Sequence, residues 1–175
     1  RNLIELNYET DQAFLSKNNK IKIITDGKEK FKLLFEDIKN AKQYIHIQYY
    51  ILKKDGIGKQ LFSLLEQKLK EGVQVYILYD DIGSRKLSIS SLRQLTKNNA
   101  KIKRFFKSKL PLINYRMNYR NHRKIVTIDG NIGYTGGFNV GDEYLGLDKK
   151  FGYWRDTHLR IEGEAVGSLE YRFID

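Results

Sequence analysis

No cysteine occurs anywhere in the 175 residues. Disulfides, thiol nucleophiles and thiolate metal sites are excluded by that, although the compartment is left open. Proline occurs once, so few positions forbid regular secondary structure. No apolar run approaches the roughly 20 residues that a membrane-spanning helix requires. Acidic residues are the minority charge: 21 stand against 32 basic ones, a net charge of +11. A surplus of that size points to anionic partners, whether lipid headgroups, phosphodiesters or nucleic acid, unless the lysines only solvate helix faces. What is present suits one regular unit. Apolar residues make up 41% of a chain long enough to bury a real core.

Strand and helix signals alternate along the first two thirds. A short strand over 21–25 closes at Asp26-Gly27, and Phe31, Leu34, Phe35 and Ile38 recur at helical spacing over 28–40. Residues 44–52 (YIHIQYYIL) read as a buried strand. A second helix over 56–71 turns Leu61, Leu64, Leu65 and Leu69 inward and stops at Gly72. A strand over 73–79 ends in Asp80-Asp81-Ile82-Gly83, a helix covers 88–99, and a strand covers 101–106. This order predicts an α/β fold with a mixed, mostly parallel sheet flanked by helices on both faces. Residues 107–119 (KSKLPLINYRMNY) hold the lone proline and show no period. Their apolar and cationic side chains suit a membrane-surface contact beside the site, or equally a loop folded onto the core.

The chain is organised around residues 121–139, NHRKIVTIDGNIGYTGGFN. Alternation puts His122, Lys124, Val126 and Ile128 on one strand face and Arg123, Ile125, Thr127 and Asp129 on the other. Asp129-Gly130-Asn131 reads as a tight hairpin turn, because Asp-Gly tolerates the positive φ of primed turns. A return strand over 132–135 then delivers Gly136-Gly137-Phe138-Asn139 beside the imidazole and the ammonium. An imidazole can attack phosphorus at neutral pH, a lysine can hold phosphate oxygens, an Asn amide can donate to them, and glycines let backbone N–H groups approach an anion. These residues together read as a phosphate site containing a nucleophile.

The spacing is H-x-K, four residues, D, six residues, G-G-x-N. With Arg120-Asn121-His122-Arg123-Lys124-Ile125 before it and Tyr153-Trp154-Arg155-Asp156-Thr157-His158 after it, the stretch resembles the signature motif of the phospholipase D superfamily. Within that superfamily it resembles the first catalytic half of a bacterial cardiolipin synthase. The resemblance runs from about Tyr44 to the end of the chain.

It implies a phosphatidyltransferase that joins two phosphatidylglycerols through a phosphohistidine on His122, or that uses His122 as the acid if another half supplies the nucleophile. It implies Lys124, Asn139, Gly136 and Gly137 as phosphate-binding groups, and no cofactor or metal. Many superfamily members carry serine where this chain has Gly137. Asp129 counts among the catalytic motif residues. Its parity is opposite to that of His122, however, so a turn-stabilising role is better supported. Asp156, in a strand over 154–162, is the carboxylate expected to hydrogen-bond His122 and fix its tautomer.

His158 and Arg160 share the face of Asp156 and are weaker channel candidates; His46 and Gln48 are weaker still. Asp80-Asp81 looks like a metal pair but has no further ligand cluster with it.

The chain opens at Arg1 without methionine and closes at Asp175 inside a predicted helix that starts at Glu164. It is read as one catalytic lobe, residues 1–175, of a longer bacterial cell-membrane enzyme, inactive when isolated. The expected partners are phosphatidylglycerol, an anionic membrane surface, and a second catalytic lobe or a homodimer mate. Nucleic acid is the less favoured substrate. Two alternatives stay open: a phospholipase D-like phosphodiesterase or nuclease acting as a homodimer, and a non-catalytic lobe that binds anionic lipid.

Overall fold

The structure, a computed structural model, describes residues 2–11, 13–87, 89–105 and 120–174. The elements run α1 (Leu3–Asp11), β1 (Asn19–Asp26), α2 (Gly27–Asn40), β2 (Tyr44–Tyr49), α3 (Gly56–Lys70), β3 (Gln74–Asp80), α4 (Ile89–Lys97), β4 (Lys101–Phe105), β5 (Ile125–Ile128), β6 (Ile132–Gly136), a 3-10 turn (Asp142–Leu145), β7 (Arg155–Gly163) and α5 (Ala165–Ile174). The apolar period seats α2 and α3. Phe31, Leu34 and Ile38 of the first and Leu61 and Leu65 of the second are buried. Burial of each such side chain contributes about 1.5–3 kcal/mol.

Local chemistry sets the helix ends. Asp26 caps α2 by accepting from the Glu29 N–H at 2.9 Å. Asp55 caps α3 through the Gly58 N–H. Asp142 adds to that cap by accepting from the Gly56 and Ile57 amides at 2.9 and 2.8 Å, while Asp55 accepts from the Asp142 amide. The start of α3 is thereby locked to the segment that follows β6. Gly72, at φ 89°, ends α3 as the sequence predicts.

The seven strands form one sheet in the order β1-β7-β6-β5-β2-β3-β4. It is mixed, but the expectation of a mostly parallel sheet is corrected. Only β2–β3 and β3–β4 pair in parallel, whereas β1–β7, β7–β6, β6–β5 and β5–β2 are antiparallel. The parallel part is built by helical crossovers. No helix separates β5 from β6, so that hairpin folds back antiparallel, and β7 pairs antiparallel with β6 after a connection that holds a 3-10 turn. Helices do cover both faces. Tyr134 points to Asp37 of α2, while a β-carbon on its neighbour Gly133 would meet Val166 and Leu169 of α5. The hairpin turn is as read: Asp129 and Gly130 have φ 51° and 67°, and the Asn131 amide donates to Ile128. Residues 106–119 lie outside the described residues, and with them the loop over 107–119 and the last residue of the strand over 101–106.

Candidate active site

Because β6 lies between β5 and β7, pairing Ile125 with Thr135 and Gly136 with His158, three segments meet at one edge of the sheet, the edge formed by strand ends and not by an outermost strand. They are His122–Lys124 entering β5, Gly136–Asn139 leaving β6, and Asp156–His158 entering β7. The chain leaving β2 joins them. Val140 donates to Ile51 O, and Lys53 donates back to Val140 O, each at 3.1 Å. Asn139 pins this crossing. Its Oδ1 accepts from the Ile51 amide at 3.0 Å and its Nδ2 donates to the Tyr144 hydroxyl at 2.9 Å. At 5% exposed, it spends both ends of its amide on the fold, and one of its two Nδ2 hydrogens is not used by these contacts.

His122 is exposed and lies three positions before the first residue of β5, Ile125, although the alternation would begin the strand at His122. Its ring stacks on Tyr50, centroids 4.0 Å apart at 22°. Lys124 donates from Nζ to the His122 carbonyl at 2.7 Å and lies 5.7 Å from the Tyr50 ring centre. Burial lowers the Lys124 pKa, and the Asp156 carboxylate works against that shift.

Asp156 does not reach His122. Among the described residues its carboxylate accepts from the Thr157 amide at 2.7 Å and lies against Gly137, where a β-carbon would overlap Oδ1. The reason is topological: Asp156 is on β7 and His122 precedes β5, and β6 lies between those two strands. That carboxylate also fills the space a serine side chain would need at position 137. Gly137 itself donates to Thr157 O at 2.9 Å, and Gly136, at φ 152°, packs on the His158 backbone.

Asp129 sits at the opposite end of β5, which corrects its placement among the catalytic residues. Its carboxylate accepts from the backbone amides of Lys42, Gln43 and Tyr44 at 2.7, 2.8 and 2.9 Å, tying the hairpin to the start of β2. His46 also belongs to the fold. It stacks on Phe173 at 4.6 Å and approaches Thr127 and Glu170 on the α5 side. Gln48 is buried. Arg160 makes a bidentate pair with Asp37 at 2.7 and 2.8 Å and contacts Glu162, which holds its guanidinium firmly charged. Asp80 accepts from the Ile82 and Gly83 amides and faces Arg120, while Asp81 pairs with Arg104. Both carboxylates of the suspected metal pair thus serve turns and arginines.

A buried polar cluster lies beneath the site. His158 is 1% exposed, and neither ring nitrogen has a hydrogen-bond partner among the described residues. Its pKa is pushed down to about 2, first by burial and then by the charges of Lys30 and Lys124. Lys30, fully buried, donates to the Tyr49 hydroxyl at 2.8 Å and lies 3.7 Å from the Phe31 ring centre. Burial lowers its pKa well below the ordinary value. Sequence reasoning missed both Lys30 and Tyr50. Lys30 sits on what reads as a charged helix face, and Tyr50 ends an apolar strand. The available signal was the Tyr49-Tyr50 pair near the end of the strand, since a buried tyrosine hydroxyl usually finds a hydrogen-bond partner.

The edge therefore offers an exposed imidazole, a half-buried ammonium and a glycine turn to one small volume, which is the equipment for attack on a phosphate ester. Residues 34–153 match the family model described as "Cardiolipin synthase, PLD-like domain". The chain is 56% identical over 174 residues to cardiolipin synthase 2 of Staphylococcus epidermidis, covering 99% of this chain and 36% of that protein. It is 57% identical to cardiolipin synthase of Staphylococcus aureus over 99% of this chain and 35% of that protein. The chain thus spans about a third of the length of the curated relatives it matches. Among solved structures it resembles phosphatidylserine synthase of Haemophilus influenzae (TM-score 0.68, 18% identity, 89% of this chain and 36% of that one). It also resembles NucT from Helicobacter pylori (TM-score 0.63, 16% identity, 90% of this chain and 94% of that one). At these identities the structural likeness speaks for the fold alone.

Proposed function

The chain belongs to the phospholipase D-like domain family of cardiolipin synthases, and from that premise we propose that it supplies one half of a phosphatidyltransferase site. A ring nitrogen of His122 attacks the phosphorus of phosphatidylglycerol. The N–P bond forms, the P–O bond to the headgroup glycerol breaks, and the leaving alkoxide takes a proton from an acid on the second half of the site. The glycerol hydroxyl of a second phosphatidylglycerol then attacks phosphorus and gives its proton to that same group. The N–P bond breaks and cardiolipin leaves, so one glycerol is released per cardiolipin and His122 is restored.

Lys124 supplies the positive charge on the phosphoryl oxygens, so no metal is required. The remaining Asn139 N–H and the close backbone approach at Gly136 complete the anion cradle, the Gly137 N–H being committed to Thr157 O. The observation that carries this reading is the meeting of His122, Lys124 and the glycine turn at one sheet edge within a chain 56% identical to a cardiolipin synthase. The second half comes from further chain of the same protein or from a second copy across a two-fold axis. The full-length protein works at the bacterial cell membrane; among the described residues no helix is long and apolar enough to cross one.

The test is to incubate the full-length protein with labelled phosphatidylglycerol and resolve the products. Cardiolipin with equimolar glycerol is expected. Phosphatidic acid without cardiolipin would assign a hydrolase, and bound but unchanged lipid would assign a binding lobe.

A further inference from the structure

His122 lies outside the hydrogen-bonded ladder, since β5 begins only at Ile125, and no carboxylate holds its ring among the described residues. An exposed imidazole with free side-chain torsions is a poor nucleophile unless something fixes its plane. Tyr50 does this. Its ring covers one face of the imidazole in a close stack, centroids 4.0 Å apart at 22°.

The Tyr50 ring is itself backed. The turn after β3 comes close to it at Gly83, where a β-carbon would overlap the Tyr50 carbonyl and lie 2.9 Å from Cε2. Ser84 Oγ donates to the Tyr50 carbonyl and accepts from the Leu52 amide, each at 3.0 Å. Asp80 shapes the turn by accepting from the Ile82 and Gly83 amides, both at 2.9 Å. Its other oxygen faces Arg120 at 3.8 Å, two residues before His122. One buried carboxylate thus shapes the wall behind Tyr50 and lies within ion-pair distance of the arginine that precedes the histidine.

We infer that Tyr50, clamped by the Asp80–Ser84 turn, is the positioning residue that holds the His122 ring for attack. Stacking suits this task better than a hydrogen bond would. It restrains the plane of the ring while both edge nitrogens stay accessible, one to form the N–P bond and one to carry its proton. The motif that sequence reading offered as a metal pair acquires a role here: it is the foundation of the histidine's seat.

This inference rests on the reading of His122 as the nucleophile, and three variants of the full-length protein separate the two. Turnover of phosphatidylglycerol is measured together with the ring-proton shifts of the chain's histidines, His122 being assigned through His122→Gln. Removing the stack in Tyr50→Leu should lower kcat about 30- to 100-fold with KM within about twofold, the cost of a reacting group misplaced by an ångström. The His122 ring protons should move downfield as the ring current is lost. In Tyr50→Phe the ring remains, so kcat should stay within about threefold of the parent and the shifts should be unchanged. Gly83→Ala, which changes no chemistry-bearing group, should reproduce the Leu defect by displacing the tyrosine. The inference is overturned if the His122 shifts are the same in Tyr50→Leu and the parent, or if Tyr50→Phe is as impaired as Tyr50→Leu. Unimpaired turnover by His122→Gln would instead overturn the nucleophile reading, and with it any catalytic use of the seat.

Discussion

Acid should destabilise this protein through His158. The ring is 1% exposed, its nitrogens have no hydrogen-bond partner among the described residues, and Lys30 from α2 and Lys124 from the segment before β5 both repel a proton there. Tyr134 and Phe138 complete its surroundings with ring centres at 6.4 and 6.0 Å. The folded state therefore binds a proton only near pH 2, whereas the unfolded chain binds it near 6.5. Between those values the unfolded state carries one more proton, and each pH unit below 6.5 costs the folded state about 1.4 kcal/mol. Lowering the pH from 6.5 to 4.5 should thus remove about 2.5 kcal/mol through this one group, a sizeable part of the roughly 5–15 kcal/mol that holds a domain folded. Above pH 6.5 the contribution is complete and flat. The perturbation is His158→Leu, which keeps the volume and removes the titration. Urea unfolding of parent and variant at pH 7.0, 5.5 and 4.5 reads it: the parent should lose stability with acid by about 2–3 kcal/mol more than the variant. Equal pH slopes in the two proteins would refute the reasoning.

Other perturbations test other contacts. Gly137→Ser should place its β-carbon on the Asp156 carboxylate, lowering stability by about 1–3 kcal/mol in urea unfolding; Asp156→Ala in the same chain should restore most of it. Asp129→Asn keeps a side chain that tolerates positive φ but weakens the three amide contacts, so thermal unfolding should report a loss of about 1–3 kcal/mol while kcat per folded molecule is retained. Asp156→Asn removes the carboxylate that opposes the burial shift at Lys124. The lysine should then lose its proton more readily, and the alkaline limb of the pH–rate profile of the full-length protein should move to lower pH.

Much of this was legible in the chain, and the gaps have definite causes. Helical spacing of Phe31, Leu34 and Ile38 located α2, and Asp129-Gly130 located the hairpin, because apolar period and turn chemistry are local properties. Asp129 is separated from His122 along the length of β5, not by the strand parity from which the sequence reading set them apart. Nor could parity say which strand would stand beside which, so Asp156 was assigned to a histidine from which β6 divides it. The same blindness made the sheet mostly parallel, since strand–helix alternation describes only the β2–β4 part. Helix α1 buries no side chain and so left no period to read. Tyr50 and Lys30 escaped for a shared reason: their function depends on what lies across the fold, and the local pattern absorbed one into a core strand and the other into a polar helix face.

The central claim is that His122 takes the phosphatidyl group. The full-length protein, mixed with phosphatidylglycerol labelled at phosphorus and quenched in alkali within one turnover, should carry the label in an acid-labile, base-stable linkage, and peptide mass spectrometry should locate it on His122. Label on any other residue of this chain, or cardiolipin formed in the first turnover with no covalent phosphoenzyme at any time point, would contradict the account.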